Sequence, residues 1–119
     1  MSRTLLPVSL VAALVGSTAL ADAPSVAVDI APVHSLVARV MEGVGTPDLI
    51  VQPGASPHEY ALRPSEASAL QEADLVFWVS ARLTPWLGTA IENLASDAAV
   101  TELLETDGTI ALEARNSPL

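Results

Sequence analysis

The chain carries only two histidines, and one of them, His58, lies in the proline-rich segment GASPHEYALRPSE at residues 54–66. Each proline fixes its own φ angle and biases the preceding residue toward extended backbone, and Gly54 can adopt angles closed to other residues. This composition predicts a stiff loop that holds the His58 imidazole in a set direction. A neutral imidazole nitrogen is a good zinc ligand. Spacing alone leaves the question open, because ligand clusters rather than single histidines identify metal sites, and a water-exposed loop histidine is the commoner case.

The neighbours of His58 each allow two interpretations. Glu59 either orients the imidazole or is a solvated carboxylate. Tyr60 either holds the loop through its hydroxyl or only packs beneath it, and Arg63 either pairs with a carboxylate or lies on the surface. His34 falls at the edge of an apolar helical stripe, which favours a boundary position in the first helical turn. It would join a metal site only if that helix end faces the crevice at His58.

Other chemistry finds little support in the residue types. Ser56, His58 and Glu59 form a nominal nucleophile, base and acid, but triads are assembled across a fold, and near neighbours on one loop rarely align. The absence of cysteine excludes thiol catalysis, disulfides and thiolate zinc sites. The net charge is −9 and there is no lysine, which excludes a Schiff-base or phosphate-loop lysine and opposes nucleic-acid binding.

The elements that must position this loop alternate between strand and helix. This alternation predicts an α/β fold with a parallel sheet of about four strands flanked by helices. In such sheets, ligands bind at loops that follow the carboxyl ends of strands. The predicted strands are Val26–Ile30, Asp48–Val51, Leu75–Val79 and Ala99–Leu103, and the predicted helices follow Pro32, span Ser65–Glu72 and begin at Thr84–Pro85.

Periodicity also predicts which faces are buried. The third strand is apolar throughout, as in a strand covered on both faces. Ser65, with Glu66 behind it, is the expected cap of the second helix, and Asp107–Gly108 is an expected turn. An apolar stripe on the first helix comprises Val33, Leu36, Val37, Val40, Met41 and Val44, and one on the third helix comprises Trp86, Leu87, Ala90, Ile91 and Leu94.

The first 21 residues have the pattern of a secretory signal peptide. Arg3 precedes a short apolar stretch, and small residues end in Ala19-Leu20-Ala21, so cleavage is predicted after Ala21. The stretch is short for a membrane anchor, which needs about 20 apolar residues. An acidic, cysteine-free chain behind such a leader is expected in the periplasm.

The segment GASPHEYALRPSE resembles the first metal-ligand loop of the zinc-type substrate-binding proteins of ABC importers, the high-affinity zinc uptake family. Manganese-type and adhesin-type receptors share a similar Pro-His-Glu-Tyr core. The flanking stretches APVHSLVA (31–38) and LQEADLVFWV (70–79) support the resemblance, which covers Val26 to Leu104.

The resemblance implies a periplasmic receptor, not an enzyme, that binds Zn²⁺, with Mn²⁺ less favoured, and passes it to an ABC permease. It implies that His58 is a metal ligand and that residues 22–119 correspond to the N-terminal lobe of a two-lobed fold. Pro57 stands where some zinc-type members have an acidic residue. The family's other ligands come from beyond the stretch seen here, so the second lobe is missing and the chain is expected to be truncated.

Three functions therefore remain as alternatives. The first is the zinc receptor, in which His58 supplies one ligand and the second lobe supplies the rest. The second is an inactive remnant of such a receptor; a manganese-type receptor stays open as a variant of the first. The third, least favoured, is a small secreted α/β hydrolase using Ser56 and His58. Since a zinc site needs four ligands, or three and water, the isolated chain is expected to bind zinc weakly.

Overall fold

A computed structural model of the chain describes residues 22–110. The predicted leader with its cleavage site after Ala21 lies outside these residues, as do residues 111–119. The described part alternates between parallel strands and helices, as predicted. In chain order the elements are β1 (Val26–Val28), α1 (Ala31–Val40), β2 (Asp48–Leu49), α2 (Pro64–Glu72), β3 (Leu75–Trp78), α3 (Leu87–Leu94), β4 (Ala99–Glu102) and a short 3₁₀ helix (Leu103–Glu105).

The four strands form one parallel sheet in the order β2-β1-β3-β4. Residue Ala27 of β1 lies beside Asp48 of β2 on one side and beside Val76 of β3 on the other. The chain places β2 on one side of β1 and then places β3 and β4 on the other side. The order in which strands are added to the sheet therefore reverses between β1 and β3. The carboxyl ends of β1 and β3 therefore mark the place where open α/β sheets bind ligands.

The main core lies on the face of the sheet that α2 and α3 cover. Successive strand residues point to opposite faces, so Ala27, Val76 and Trp78 face these helices. On α3, Leu87 and Ile91 are buried, while the other three residues of its predicted stripe are half-buried and pack against the core, which confirms that stripe. The remaining buried members of this core are Ile50, Leu70, Ala73 and Ala95.

The opposite face is covered by α1 alone, and here the predicted burial is wrong in part. Leu36, Val40 and Val44 are 69%, 84% and 60% exposed, because no second helix among residues 22–110 packs on this face. For the same reason β3 is not buried on both faces: Leu75 and Phe77 stay half-buried beside an apolar cavity of about 510 Å³. Helix α1 also ends at Val40, so Met41 and Val44 of the predicted stripe lie beyond its end.

Two predicted helix starts are displaced. Helix α2 begins at Pro64 with Arg63 as its N-cap, so Ser65 is not the cap. Helix α3 begins at Leu87, because the Thr84 carbonyl accepts a hydrogen bond from Leu87 N in a preceding turn.

The turn at Asp107–Gly108 is confirmed, with Gly108 at φ +85°. No helix in the described part of the chain is both long enough and apolar enough to cross a membrane.

Candidate metal centre

His58 lies in the connection between β2 and α2, residues 50–63, called the His58 loop below. The loop leaves the carboxyl end of β2 and continues its pairing with β1 at first. Ile50 N and Val51 N donate to the carbonyls of Val28 and Asp29 at 2.9 and 2.8 Å. The loop therefore starts from a fixed position at the carboxyl edge of the sheet.

A tight turn follows before His58. Ala55 N donates to the Gln52 carbonyl at 3.2 Å, and the Gln52 side-chain amide donates to the Leu49 carbonyl at 3.1 Å. Gly54 adopts φ +85°, in the left-handed region that glycine enters at least cost. The special backbone angle predicted for Gly54 is confirmed, and it turns the chain back toward the sheet edge.

Trp86 holds the loop on the amino-terminal side of His58. Its indole Nε1–H donates to the Pro57 carbonyl at 2.7 Å, across 29 residues of sequence. The Trp86 ring also packs against Tyr60, with ring centroids 5.6 Å apart and planes inclined by 33°. One side chain from the start of α3 thus contacts the residue before His58 and the residue two positions after it.

Glu66 holds the carboxyl-terminal side of the loop. This carboxylate is only 4% exposed, and its Oε1 accepts a 2.6 Å hydrogen bond from the Tyr60 hydroxyl. Its Oε2 accepts from Arg63 N at 2.9 Å, at the start of α2. The hydrogen bond to Glu66 raises the pKa of the Tyr60 hydroxyl, since ionised Tyr60 could not donate. Tyr60 therefore does more than pack beneath the loop, because its hydroxyl bonds the loop to Glu66.

His58 itself is exposed between these two fixed points. Its imidazole makes no hydrogen bond within residues 22–110 and is therefore not engaged by another described residue. Glu59 and Arg63 are exposed as well. Ser56 is exposed and makes no hydrogen bond to His58 within the same range, so no nucleophile–base pair is assembled there.

His34 is engaged elsewhere. Its Nε2 lies 2.9 Å from the Pro47 carbonyl oxygen. A carbonyl can only accept, so this nitrogen carries the proton, and in the neutral ring only Nδ1 keeps a lone pair. The half-buried ring fastens the first turn of α1 to the segment that leads into β2, which is the structural role expected for a boundary histidine.

Asp29 is a buried carboxylate beneath this edge that sequence patterns did not single out. It is fully buried where β1 ends, and its two oxygens accept from Ile30 N and Val79 N, each at 2.8 Å. Burial raises the pKa of the Asp29 carboxyl, although the two hydrogen bonds act in the opposite direction. Asp29 therefore bridges the start of α1 to the end of β3 at the sheet's point of reversal.

The edge also contains a small cavity of about 240 Å³ between the start of α1 and the His58 loop. Its lining is mostly apolar and includes Ile30, Pro32, Pro53 and Pro57. Within residues 22–110, no three histidine, aspartate or glutamate side chains are grouped closely enough to hold a metal ion. This part of the chain therefore offers one exposed imidazole at the carboxyl edge of the sheet, and a complete zinc site requires further ligands.

The fold is shared with periplasmic metal-binding receptors. It resembles the periplasmic zinc-binding protein TroA from Treponema pallidum, with TM-score 0.63 and 24% identity, covering 76% of this chain and 34% of that one. It also resembles the Mn-bound periplasmic metal-binding protein from Candidatus Liberibacter asiaticus, with TM-score 0.61 and 17% identity, covering 77% of this chain and 35% of that one. Parallel strands and helices arranged in this way thus form part of a metal-receptor fold.

Sequence comparison identifies the family. The model described as zinc-uptake complex component A, periplasmic (ZnuA), matches residues 26–117, and the chain belongs to this family. The high-affinity zinc uptake system protein ZnuA of Paracoccus denitrificans is 44% identical over 107 residues, which are 87% of this chain and 33% of that protein. The Brucella abortus protein of the same name is 39% identical over 100 residues, 84% of this chain and 30% of that protein. The chain spans about a third of the length of these relatives, and the resemblance seen in its motif is confirmed.

Proposed function

We propose that the chain is the N-terminal, zinc-binding lobe of a periplasmic receptor that captures Zn²⁺ for import by an ABC permease. The observation that carries the proposal is the exposed His58 imidazole, presented between two fixed points at the carboxyl edge of the sheet. Membership of the zinc-uptake family and the names of the relatives support zinc as the ion. In this proposal the leader, residues 1–21, directs the chain to the periplasm and is removed after Ala21.

In this function His58 supplies one neutral nitrogen ligand and the receptor performs no chemical step. The remaining ligands come from a second lobe that closes over the edge, because residues 22–110 contain no further group of candidate ligands. Zinc is favoured over manganese because imidazole suits zinc, whereas manganese prefers oxygen ligands. Glu59 and Tyr60 contribute by shaping and holding the loop, and His34 contributes only to the fold.

The test uses the fact that the chain has two histidines in different environments. We would titrate the purified chain with Zn²⁺ and follow both imidazole ring signals by NMR, in the same sample. We expect the His58 signals to shift progressively, with an affinity near that of a single imidazole, while the His34 signals shift much less, because that ring is half-buried and its Nε2 is bonded to Pro47.

Two variants complete the experiment. In His58→Ala, zinc should no longer shift the backbone amide signals of the His58 loop, and Ser56→Ala, which alters an exposed neighbour, should leave the His58 ring shifts unchanged. Equal zinc-dependent shifts at His34, or unchanged binding by His58→Ala, would overturn the assignment of His58 as the ligand. Tight one-to-one binding lost in His58→Ala would mean that a second copy of the chain completes the site.

A further inference from the structure

The two tryptophans of the described chain use their indole N–H groups differently. Trp78 ends β3 inside the core, and its Nε1 is buried with no hydrogen-bond partner. Trp86 lies at the N-cap of α3, half-buried, and directs its Nε1–H onto the Pro57 carbonyl at 2.7 Å. The indole N–H of Trp86 is therefore used in a hydrogen bond to the His58 loop, whereas the indole N–H of Trp78 has no acceptor.

We propose that Trp86 is a positioning residue for metal capture, fixing the Pro57–His58 peptide so that the imidazole is presented toward the open edge. This inference rests on the proposed role of His58 as the zinc ligand. It assigns to the start of α3 a part in the metal site, although Trp86 does not contact the ion.

The geometry of the peptide group explains how Trp86 affects the position of His58 without contacting it. The Pro57 carbonyl and the His58 nitrogen belong to one planar unit, so a hydrogen bond to the carbonyl oxygen restrains the peptide from which His58 departs. The Trp86 ring then packs on Tyr60, two residues further on. Only His58 and Glu59 lie between the two contacts. Their backbone freedom is therefore reduced before the ion arrives, which lowers the ordering cost of binding.

The same geometry makes Trp86 a reporter of metal binding. An indole N–H signal is sensitive to the length and angle of its hydrogen bond, and zinc bound to His58 pulls on the adjacent peptide. We would label the indole nitrogens of the purified chain and follow both signals by NMR during a zinc titration. We expect the Trp86 signal to shift in step with the His58 ring signals and the Trp78 signal to stay in place.

The outcomes separate the inference from the function on which it rests. If the His58 signals shift and the Trp86 signal does not, zinc binding stands and the positioning role is overturned. If neither shifts, the proposed ligand is wrong. His58→Ala should abolish the zinc response of the Trp86 signal, and a response that persists would contradict coupling through Pro57.

A pair of variants tests the holding role itself. Trp86→Phe keeps a ring against Tyr60 but removes the donor, and Trp78→Phe removes an N–H that has no partner. We expect Trp86→Phe to speed exchange of the hydrogen-bonded Ala55 and Arg63 amides about fivefold, the effect of losing one ordinary hydrogen bond. Trp78→Phe also leaves a space in the core, so it should speed exchange of core amides in general without singling out these two. If the Ala55 and Arg63 amides exchange at equal rates in both variants, the holding role is overturned. The indole titration uses the unmutated chain, so it does not depend on either variant folding.

Discussion

The Tyr60 hydroxyl donates a 2.6 Å hydrogen bond to Oε1 of Glu66, six residues further along the chain. The other oxygen of the same carboxylate accepts from Arg63 N, where α2 begins. Glu66 is therefore shared between the His58 loop and the first turn of the helix. The loop conformation and the helix start are coupled, so a change at either residue should affect both.

Replacing Tyr60 with phenylalanine should destabilise the fold. The ring can still pack on Trp86, but Oε1 of Glu66 loses its donor while it remains buried. A buried acceptor left without a partner costs about 1–3 kcal/mol. Urea denaturation of Tyr60→Phe should show this loss in the free energy of unfolding. Ser65→Ala, an exposed change in the same helical turn, should alter it by less than about 0.5 kcal/mol. Equal stability of the wild-type chain and Tyr60→Phe would contradict the bond.

The pKa of Tyr60 gives a second test of the same contact, and it can be read directly because Tyr60 is the only tyrosine. The hydrogen bond to Glu66 raises the pKa of its hydroxyl above the ordinary value of 10.0. Ultraviolet titration of tyrosinate should therefore have its midpoint above that value. Glu66→Gln removes the carboxylate charge and should lower the midpoint. For a group with a raised folded pKa, the contribution to stability is present below the unfolded pKa and is lost as pH rises through the folded one. A midpoint unchanged in Glu66→Gln would place the cause elsewhere.

Burial of Asp29 predicts a pH dependence of stability with a definite sign. Its folded pKa is raised above 3.8, so the folded chain retains this proton at pH values where the unfolded chain has lost it. The contribution of Asp29 to the free energy of unfolding should therefore fall as pH rises from about 4 through the folded pKa. Urea denaturation between pH 4 and about 7, beside the non-titrating Asp29→Asn, isolates this term because the other carboxylates are common to both proteins. A wild-type minus variant difference that grows with pH would contradict it.

Much of the fold was predictable because local patterns match the final structure. Strand and helix alternation predicted the parallel sheet, and the glycine and prolines around His58 predicted a loop with a special backbone angle, found at Gly54. Long-range contacts were not predictable in this way. Trp86 has the spacing of a core residue, and nothing near it in sequence indicates a bond to Pro57, 29 residues away.

Helix α1 gives a second example of a contact that local sequence patterns do not predict. Its apolar stripe has the period expected of a buried face, but periodicity cannot say what covers that face. Val40 remains 84% exposed because, among residues 22–110, no other helix packs on the face of the sheet that α1 covers. Likewise, Ser65 is a good capping residue by type, yet Pro64 already fits the first helical position and makes Arg63 the N-cap.

A complete receptor offers the sharpest test of His58. We predict that a chimera in which residues 26–117 of this chain replace the matching stretch of the Paracoccus denitrificans relative binds zinc tightly, because under the proposed function the rest of that zinc uptake protein would add the ligands not found among residues 22–110. Calorimetry should show one-to-one binding that weakens at acidic pH, since imidazole must be neutral to ligate. His58→Ala should weaken binding by at least about 10-fold, the lower end of what removing a single supporting partner costs a metal site. His34→Ala in the same chimera is the matched control and should lower stability while leaving zinc affinity unchanged. A chimera that binds zinc equally well without His58 would show that this loop is not a ligand-bearing one.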